Sequence, residues 1–584
     1  MSADGDSNKL IVSGPLLGLV SLASVSALGY AVLLWLSWQF GAEIPAEQRP
    51  TVWMLTGFAG LFVAYWLSIR LALHLPSSKL LAAGILAASA LFRGILLPSV
   101  PMHEIDIYRY VWDGAVVAEG ISPYRYSPEQ VLAAVNAGGA PSDPTLQRLV
   151  ELQAGSGSLN ESLNTIHYGR YPSPYPIVSQ SVFGLSALIT PENVTTHTRM
   201  VIMKSLLVMM DLATLVVLML MLRTLDMHVG WSIAYGWCPL MMKEIANGGH
   251  LDSIAIFIAT LAIWLLVRSS KNARTTTLAG VLAGAVLALA IGAKLYPVVL
   301  VPLFAAVWLR QRGWKVAAVG LVTTCVVSIF LLYPLFGPTE KENASAVKPT
   351  GAAVEIEPGQ LAEPTASPPT SVAADEGIKA FLQQWEMNDL LFMLVLENVR
   401  VQGDVPEAKR PWFVFTSDEW ATSVVAHWAR LRRSVDDPDG DLSPTDLRRE
   451  SFSLARAVTG GGFALYACLL AWFAAGKNDP REWCRAAMLT LAWFWLTCPT
   501  QNPWYWCWIV PLLPFARRRT WLAVAAVTML YYLRFWLIAH YPQPPVLGTP
   551  YDGAYFFYFV VAWLEFLPVL IALAMESALA WRNR

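Results

Sequence analysis

Charge is what this 584-residue sequence has least of. Asp, Glu, Lys and Arg make up 14%, while 55% is hydrophobic and mean hydropathy is +0.46. A soluble domain carries roughly 25% charged residues, so the scarcity excludes that class and leaves an all-α polytopic membrane protein. The net charge of −1 supplies no basic face, and nothing argues for nucleic acid as a partner. Cysteine is sparse as well: Cys238, Cys325, Cys468, Cys484, Cys498 and Cys507 lie in or beside apolar segments without metal-ligand spacing, and read as small buried hydrophobes. A basic start is missing. Asp4, Asp6 and Lys9 precede the apolar run 11–38, which reads as an uncleaved first span.

Apolar runs are what the chain has in plenty. A crossing helix needs about 20 such residues. Candidates are 12–38, 51–74, 79–98, 200–223, 229–245, 250–268, 275–293, 295–310, 315–336, 452–475, 485–499, 504–516, 520–540 and 553–580, a bundle of about 14 spans. The run 176–190 is shorter and suits the interface. Basic loops at Arg70–Lys79, Arg223, Arg268–Arg274, Arg310–Lys315, Lys477–Arg485, Arg517–Arg519 and Arg582–Arg584 are all cytoplasmic only if 176–190 does not cross. The organisation expected is N-terminal spans in 1–98 and a first outer loop, 99–199, with juxtamembrane helices. Central spans in 200–336 and a second outer loop, 337–451, follow, and C-terminal spans occupy 452–584. Within the second loop, 337–376 is rich in Pro, Ala and Glu and is expected to be a disordered insertion. Segment 433–446 reads as a solvated loop; its DDPDGD run lacks EF-hand spacing.

This topology sorts the unusual polar residues to the outer side. HEIDIYRY (103–110) holds Glu104 and Asp106, two carboxylates that converge in a turn and diverge on a helix. Such a pair serves as general base or holds a divalent cation, Mg or Mn, against a phosphate; ordinary interfacial solvation is the bland alternative. Tyr108, Arg109, Trp112 and Asp113 follow, and ISPYRYSP adds Tyr126. Aromatic planes beside acids and arginine suit a sugar, with its apolar faces and hydroxyl edges, although membrane belts also use Tyr and Trp. NGGHLD places His250 and Asp252 after two glycines, with Asp252 also suited to cap the next helix. Lys294 interrupts an apolar run and needs to snorkel, pair with an anion or bind a phosphate. Tyr175 in YPSPYP, Tyr296 in AKLYP, Trp385, Asn388 and Asp389 in WEMND, and Trp504 and Tyr505 in QNPWYW complete the candidate sugar and acceptor contacts. Asp211, Arg534 and Glu565 lie within spans, as intramembrane pairs or a proton path.

In their order, DIYRYVWDGAVVAEGISPYRYSP, YPSPYPIVSQSVFGL, KEIANGGHLDSIAIF, AKLYPVVLVPL, WEMNDLLF and NPWYWCWIVPLLP resemble the polyprenyl-phosphate-mannose-dependent mannosyltransferases of glycosyltransferase family 87 and the C-type superfamily. HEID stands where a paired-acid form is expected. The resemblance implies a multi-spanning fold, a polyprenyl-phosphate sugar donor, a glycan, glycolipid or other envelope acceptor, and an active site on the extracytoplasmic face. It matches Asp106 to the family's acid, with Glu104 completing the motif. Transfer would be a single inverting displacement, with Lys294, Arg109 and His250 beside the leaving phosphate. Two rivals stand beside it. A transporter or lipid-linked-sugar flippase would place functional charge at mid-bilayer, and a non-catalytic envelope partner would carry a degenerate site.

Overall fold

The computed structural model describes residues 14–270, 276–336, 386–403, 405–406, 409–432 and 442–582. The expected insertion 337–376, Trp385 and most of the loop 433–446 lie outside the described residues. Among the described residues the chain is all-α, with no strand beyond isolated bridges such as Met387 to Thr500.

Among the described residues nine helices are long and apolar enough to cross a membrane: Gly14–Phe40, Thr51–Leu73, Lys79–Leu96, Thr196–Thr224, Asp252–Ser269, Trp314–Phe336, Pro444–Gly476, Thr520–His540 and Gly553–Ala580. They coincide with nine of the fourteen expected spans. The other five are marginal in length, too charged at one end, as Pro480–Thr497 is with Arg481, Glu482 and Arg485, or broken. Thr276–Ala293 and Pro480–Thr497 have 18 residues each, and 295–310 is a 3₁₀ turn, Tyr296–Leu300, running into Val301–Arg312. The runs 229–245 and 504–516 break into single turns, including a π-helical turn Met242–Asn247 and a 3₁₀ stretch Val510–Phe515. Pro239, Pro297, Pro302, Pro511 and Pro514 each remove a backbone donor and interrupt the ladder. Residues 232–256 are buried without a break. Their hydropathy reflects the centre of a protein bundle, not contact with lipid.

The segment after the third long helix turns at residues 97–106 and forms Ile107–Ala118, Pro128–Asn136, Pro144–Ala154 and Gly157–Thr165. Ser127, Asp143 and Ser156 cap the last three by accepting from backbone N–H groups of the first turn. Ile177–Ile189 has 13 residues. At 1.5 Å per residue it is about 20 Å long, short of a ~30 Å hydrocarbon core. It packs tightly on Ile107–Ala118 because both carry glycine at the crossing: a Cβ on Gly114 would collide with the Phe183 carbonyl, and one on Gly184 would stand 2.7 Å from Val117 Cγ1. Ser179 Oγ donates to the Ala293 carbonyl at 2.8 Å, tying this shelf to Thr276–Ala293. Residues 443–446 of the expected loop are the N-terminal cap of Pro444–Gly476, where Ser443 and Asp446 form a capping box.

Candidate active site

The turn at 97–106 is built around His103. Its backbone lies in the left-handed region, φ 71°. Its ring nitrogen Nε2 hydrogen bonds Thr51 Oγ1 at 2.8 Å, and the ring stacks on Phe535 with centroids 4.4 Å apart. Pinned there, the chain delivers Glu104 to Tyr531, whose hydroxyl donates to Oε1 at 3.0 Å. Burial pushes the Glu104 carboxyl up to about 7, the neighbouring Asp106 adds to the rise, and His250, Lys243 and the Tyr531 hydroxyl oppose it. Asp106 precedes the helix Ile107–Ala118 at the capping position, yet its backbone is helical and its side chain makes no cap bond. Its carboxylate is left to interact with Glu104, Tyr175 and Tyr505.

That arrangement has a spectroscopic consequence. A protonated-carboxyl infrared band should titrate away near pH 7 in the wild type and be missing in Glu104→Gln. Tyr531→Phe removes a hydrogen bond that favours the charged form, so its midpoint should move upward. An unmoved midpoint would separate Tyr531 from the acid.

His250 stacks on Trp504 at 4.4 Å and 12°, and Trp504 meets Tyr531 edge-on at 5.9 Å. The turn before it needs Gly249, at φ 69°, where a Cβ would stand 2.7 Å from Ile107 Cδ1. Behind His250 lies the π-turn: Tyr532 donates to Glu244 Oε1 at 2.7 Å, and Lys243 donates to Tyr532 at 3.1 Å. His250 Nε2 stands 3.3 Å from Glu244 Oε2 without the alignment of a hydrogen bond, and both ring nitrogens lack such a partner. Lys294 donates to Asp252 Oδ1 at 2.6 Å, and the Trp508 indole donates to the same oxygen at 2.5 Å. Tyr296 stacks on Trp508 at 3.9 Å, Tyr505 stacks on it at 4.4 Å, and Lys294 lies 4.6 Å from the Tyr505 ring. Lys294 is therefore ion-paired within the cluster.

The structure thus gathers Glu104, Asp106, Tyr175, His250, Asp252, Lys294, Tyr296, Trp504 and Tyr505. Other candidates sit elsewhere or have other partners. Arg109 pairs with Asp113 at 2.8 Å and donates to the Tyr171 carbonyl at 3.2 Å, so both fasten the shelf. Tyr108 and Trp112 are packed in the core. Tyr126 lies beside Arg125 and Asp143 at the periphery. Asp389 accepts from the Met393 N–H, in the first turn of Leu391–Val399, at 2.5 Å, and burial beside Glu386 holds its carboxyl well above the ordinary range. Asn388 donates to the Gln501 carbonyl and to Glu565 Oε1 at 3.1 and 3.3 Å. Tyr531, Tyr532, Lys243 and Glu244 were missed by sequence reasoning. The signals for the last two were two adjacent charges inside an apolar run and their place at the head of the KEIANGGHLDSIAIF motif. An apolar groove of about 580 Å³, lined by Ile291, Val298, Leu321, Ile329 and Tyr333 among others, carries no carboxylate or amine. Among the described residues no three His, Cys, Asp or Glu side chains gather as metal ligands, so Glu104 and Asp106 form a two-carboxylate turn.

Paired acids, a cation and stacked aromatic planes gathered in a membrane bundle are groups suited to an integral-membrane glycosyltransferase, the class to which the family match assigns the chain. Residues 16–310, just over half of the chain, match the MptA_B family, alpha-(1->6)-mannopyranosyltransferase, N-terminal domain, and the chain belongs to that family of mannosyltransferases. Neither the curated proteins nor the solved structures include a match.

Proposed function

We propose that this mannosyltransferase draws its sugar from a polyprenyl-phosphate donor and passes it, with inversion, to a hydroxyl of an extracytoplasmic glycan or glycolipid. Asp106 carries the reading: its carboxylate makes no cap bond and lies within electrostatic reach of a second acid, Glu104, and of Tyr175 and Tyr505. The acceptor oxygen attacks the anomeric carbon as its proton passes to Asp106. The bond from that carbon to the phosphate oxygen breaks, and the electron pair leaves with polyprenyl phosphate. Phosphate is a competent leaving group, so the protein's task is orientation and charge neutralisation. A divalent cation, if used, would be held by Glu104 and Asp106 and would neutralise phosphate charge.

The test is transfer by purified protein in lipid nanodiscs from radiolabelled polyprenyl-phosphate mannose, with guanosine-diphosphate mannose in parallel. Product configuration is read with anomer-specific mannosidases. Transfer only from the nucleotide sugar, or retention of configuration, overturns the reading.

The positive-inside pattern supports an outward-facing site. With Cys325 and Cys468 replaced, Ser142→Cys should label from outside intact cells and Asn478→Cys should not; both positions are exposed. Labelling of Asn478→Cys alone would reverse the orientation.

A further inference from the structure

Several cations approach the acid turn, and most are held by a carboxylate, a backbone carbonyl or, for Lys243, a phenol that is itself bound to Glu244. Lys294 is held by Asp252, Arg109 by Asp113, Lys204 by the Ser99 carbonyl at 2.7 Å, and Lys243 by Tyr532. Arg534 differs. Its polar partner is the Tyr558 hydroxyl, among the described residues no carboxylate comes within ion-pair distance of it, and its Nε is buried without a hydrogen-bond partner. Its guanidinium carbon lies 5.7 Å from the Tyr558 ring centroid and 5.8 Å from that of Phe535. Its electrostatic neighbours are Tyr558, Tyr531, Tyr168 and Glu104: three neutral phenols and the acid of the site. It stands six residues before the end of Thr520–His540, about 9 Å along a helix. A half-buried guanidinium without a counter-ion at that depth is costly unless an anion arrives. Its planar fork matches phosphate oxygens in pairs, which an ammonium does not.

We propose that Arg534 binds the phosphate of a lipid-linked substrate, between its own helix and the Glu104–Asp106 turn. This rests on the donor class proposed above and assigns the anion to a residue outside the paired cations. The guanidinium would hold the phosphodiester in the donor and the phosphate monoester in the departing lipid. Tyr531 places the two ends of the site together, because it stands three residues before Arg534 and donates to Glu104.

The test uses the full chain in nanodiscs with three probes: a short-chain polyprenyl phosphate, the matching polyprenol and inorganic phosphate. Arg534→Gln should weaken polyprenyl phosphate at least ~10-fold, the scale of a lost charge-assisted hydrogen bond. Polyprenol binding should not change, and Arg534→Lys should recover part of the loss. Unchanged polyprenyl phosphate affinity in Arg534→Gln overturns the proposal, as does equal loss of polyprenol, which marks a structural role. Inorganic phosphate that binds wild type as tightly as the lipid would identify a free-phosphate site and overturn the lipid assignment. If Arg534→Gln does not fold, wild type is treated with phenylglyoxal: protection of Arg534 by polyprenyl phosphate supports the proposal, and modification at an unchanged rate overturns it. Wild type that binds polyprenyl phosphate through Arg534 but does not transfer mannose from it keeps this site and removes the proposed reaction. Transfer with an unchanged KM in Arg534→Gln removes this site alone.

Discussion

Replacing Asp106 by Asn should lower mannosyl transfer at least ~100-fold, the usual scale for a lost general base, while the protein folds and still binds polyprenyl phosphate. The structural half of that expectation follows from the local geometry. Asp106 occupies the position before Ile107–Ala118, but its side chain caps nothing, so Asn forfeits no bond that holds the turn. The turn is fixed by His103 through Thr51 and Phe535. The chemical half follows from charge: Asn keeps the shape and cannot take a proton from an attacking hydroxyl. Glu104→Gln is the informative companion. Its amide oxygen can still accept from Tyr531, so the loss should be smaller if Glu104 only shapes the field around Asp106. It should be about equal if the two acids hold one cation, and added Mn²⁺ would then change the wild-type rate. Near-normal transfer by Asp106→Asn would remove this residue from the mechanism.

The acid turn was legible in the sequence because it is chemically anomalous: carboxylates at the edge of an apolar run are costly without a task or a partner. NGGHLD and QNPWYW were legible for the same reason, and the structure stacks His250 on Trp504. What escaped notice was whatever looks ordinary in an apolar helix. Tyr531 meets Glu104 across 427 residues of chain, and a lone tyrosine in an apolar span reads as ordinary packing. Span counting failed where hydropathy cannot tell lipid from protein interior. Residues 232–256 are apolar because they are the middle of the bundle, and Pro239 and the π-turn leave them too irregular to cross as one helix. Lys294 was recognised as a residue in need of an anion. Its partner Asp252, 42 residues earlier, is in a motif already noted, but only the folded chain places the two 2.6 Å apart.

The charge within the spans also has a partner that the sequence did not name. Asp211 accepts from Arg93 Nε at 2.5 Å, and both side chains are fully buried. Tyr235 donates to its other oxygen, and Arg93 reaches the carbonyls of Ser89 and Gly236 at 3.1 and 2.8 Å. These contacts tie Lys79–Leu96 and Thr196–Thr224 to the irregular segment at 233–247. A mid-span acid so occupied is a clasp, unlike the loose charge of a transport path. Removing one partner leaves the other charge uncompensated in a low-dielectric interior, which costs about 3–5 kcal/mol. Arg93→Met or Asp211→Leu alone should therefore lower the melting temperature sharply and reduce the yield of folded protein. The double replacement strands no charge and should be markedly milder than the sum of the singles, a coupling that a double-mutant cycle in one detergent will measure. Additive losses, or an Arg93→Met variant that melts with the wild type, would show that the pair does not hold the bundle together.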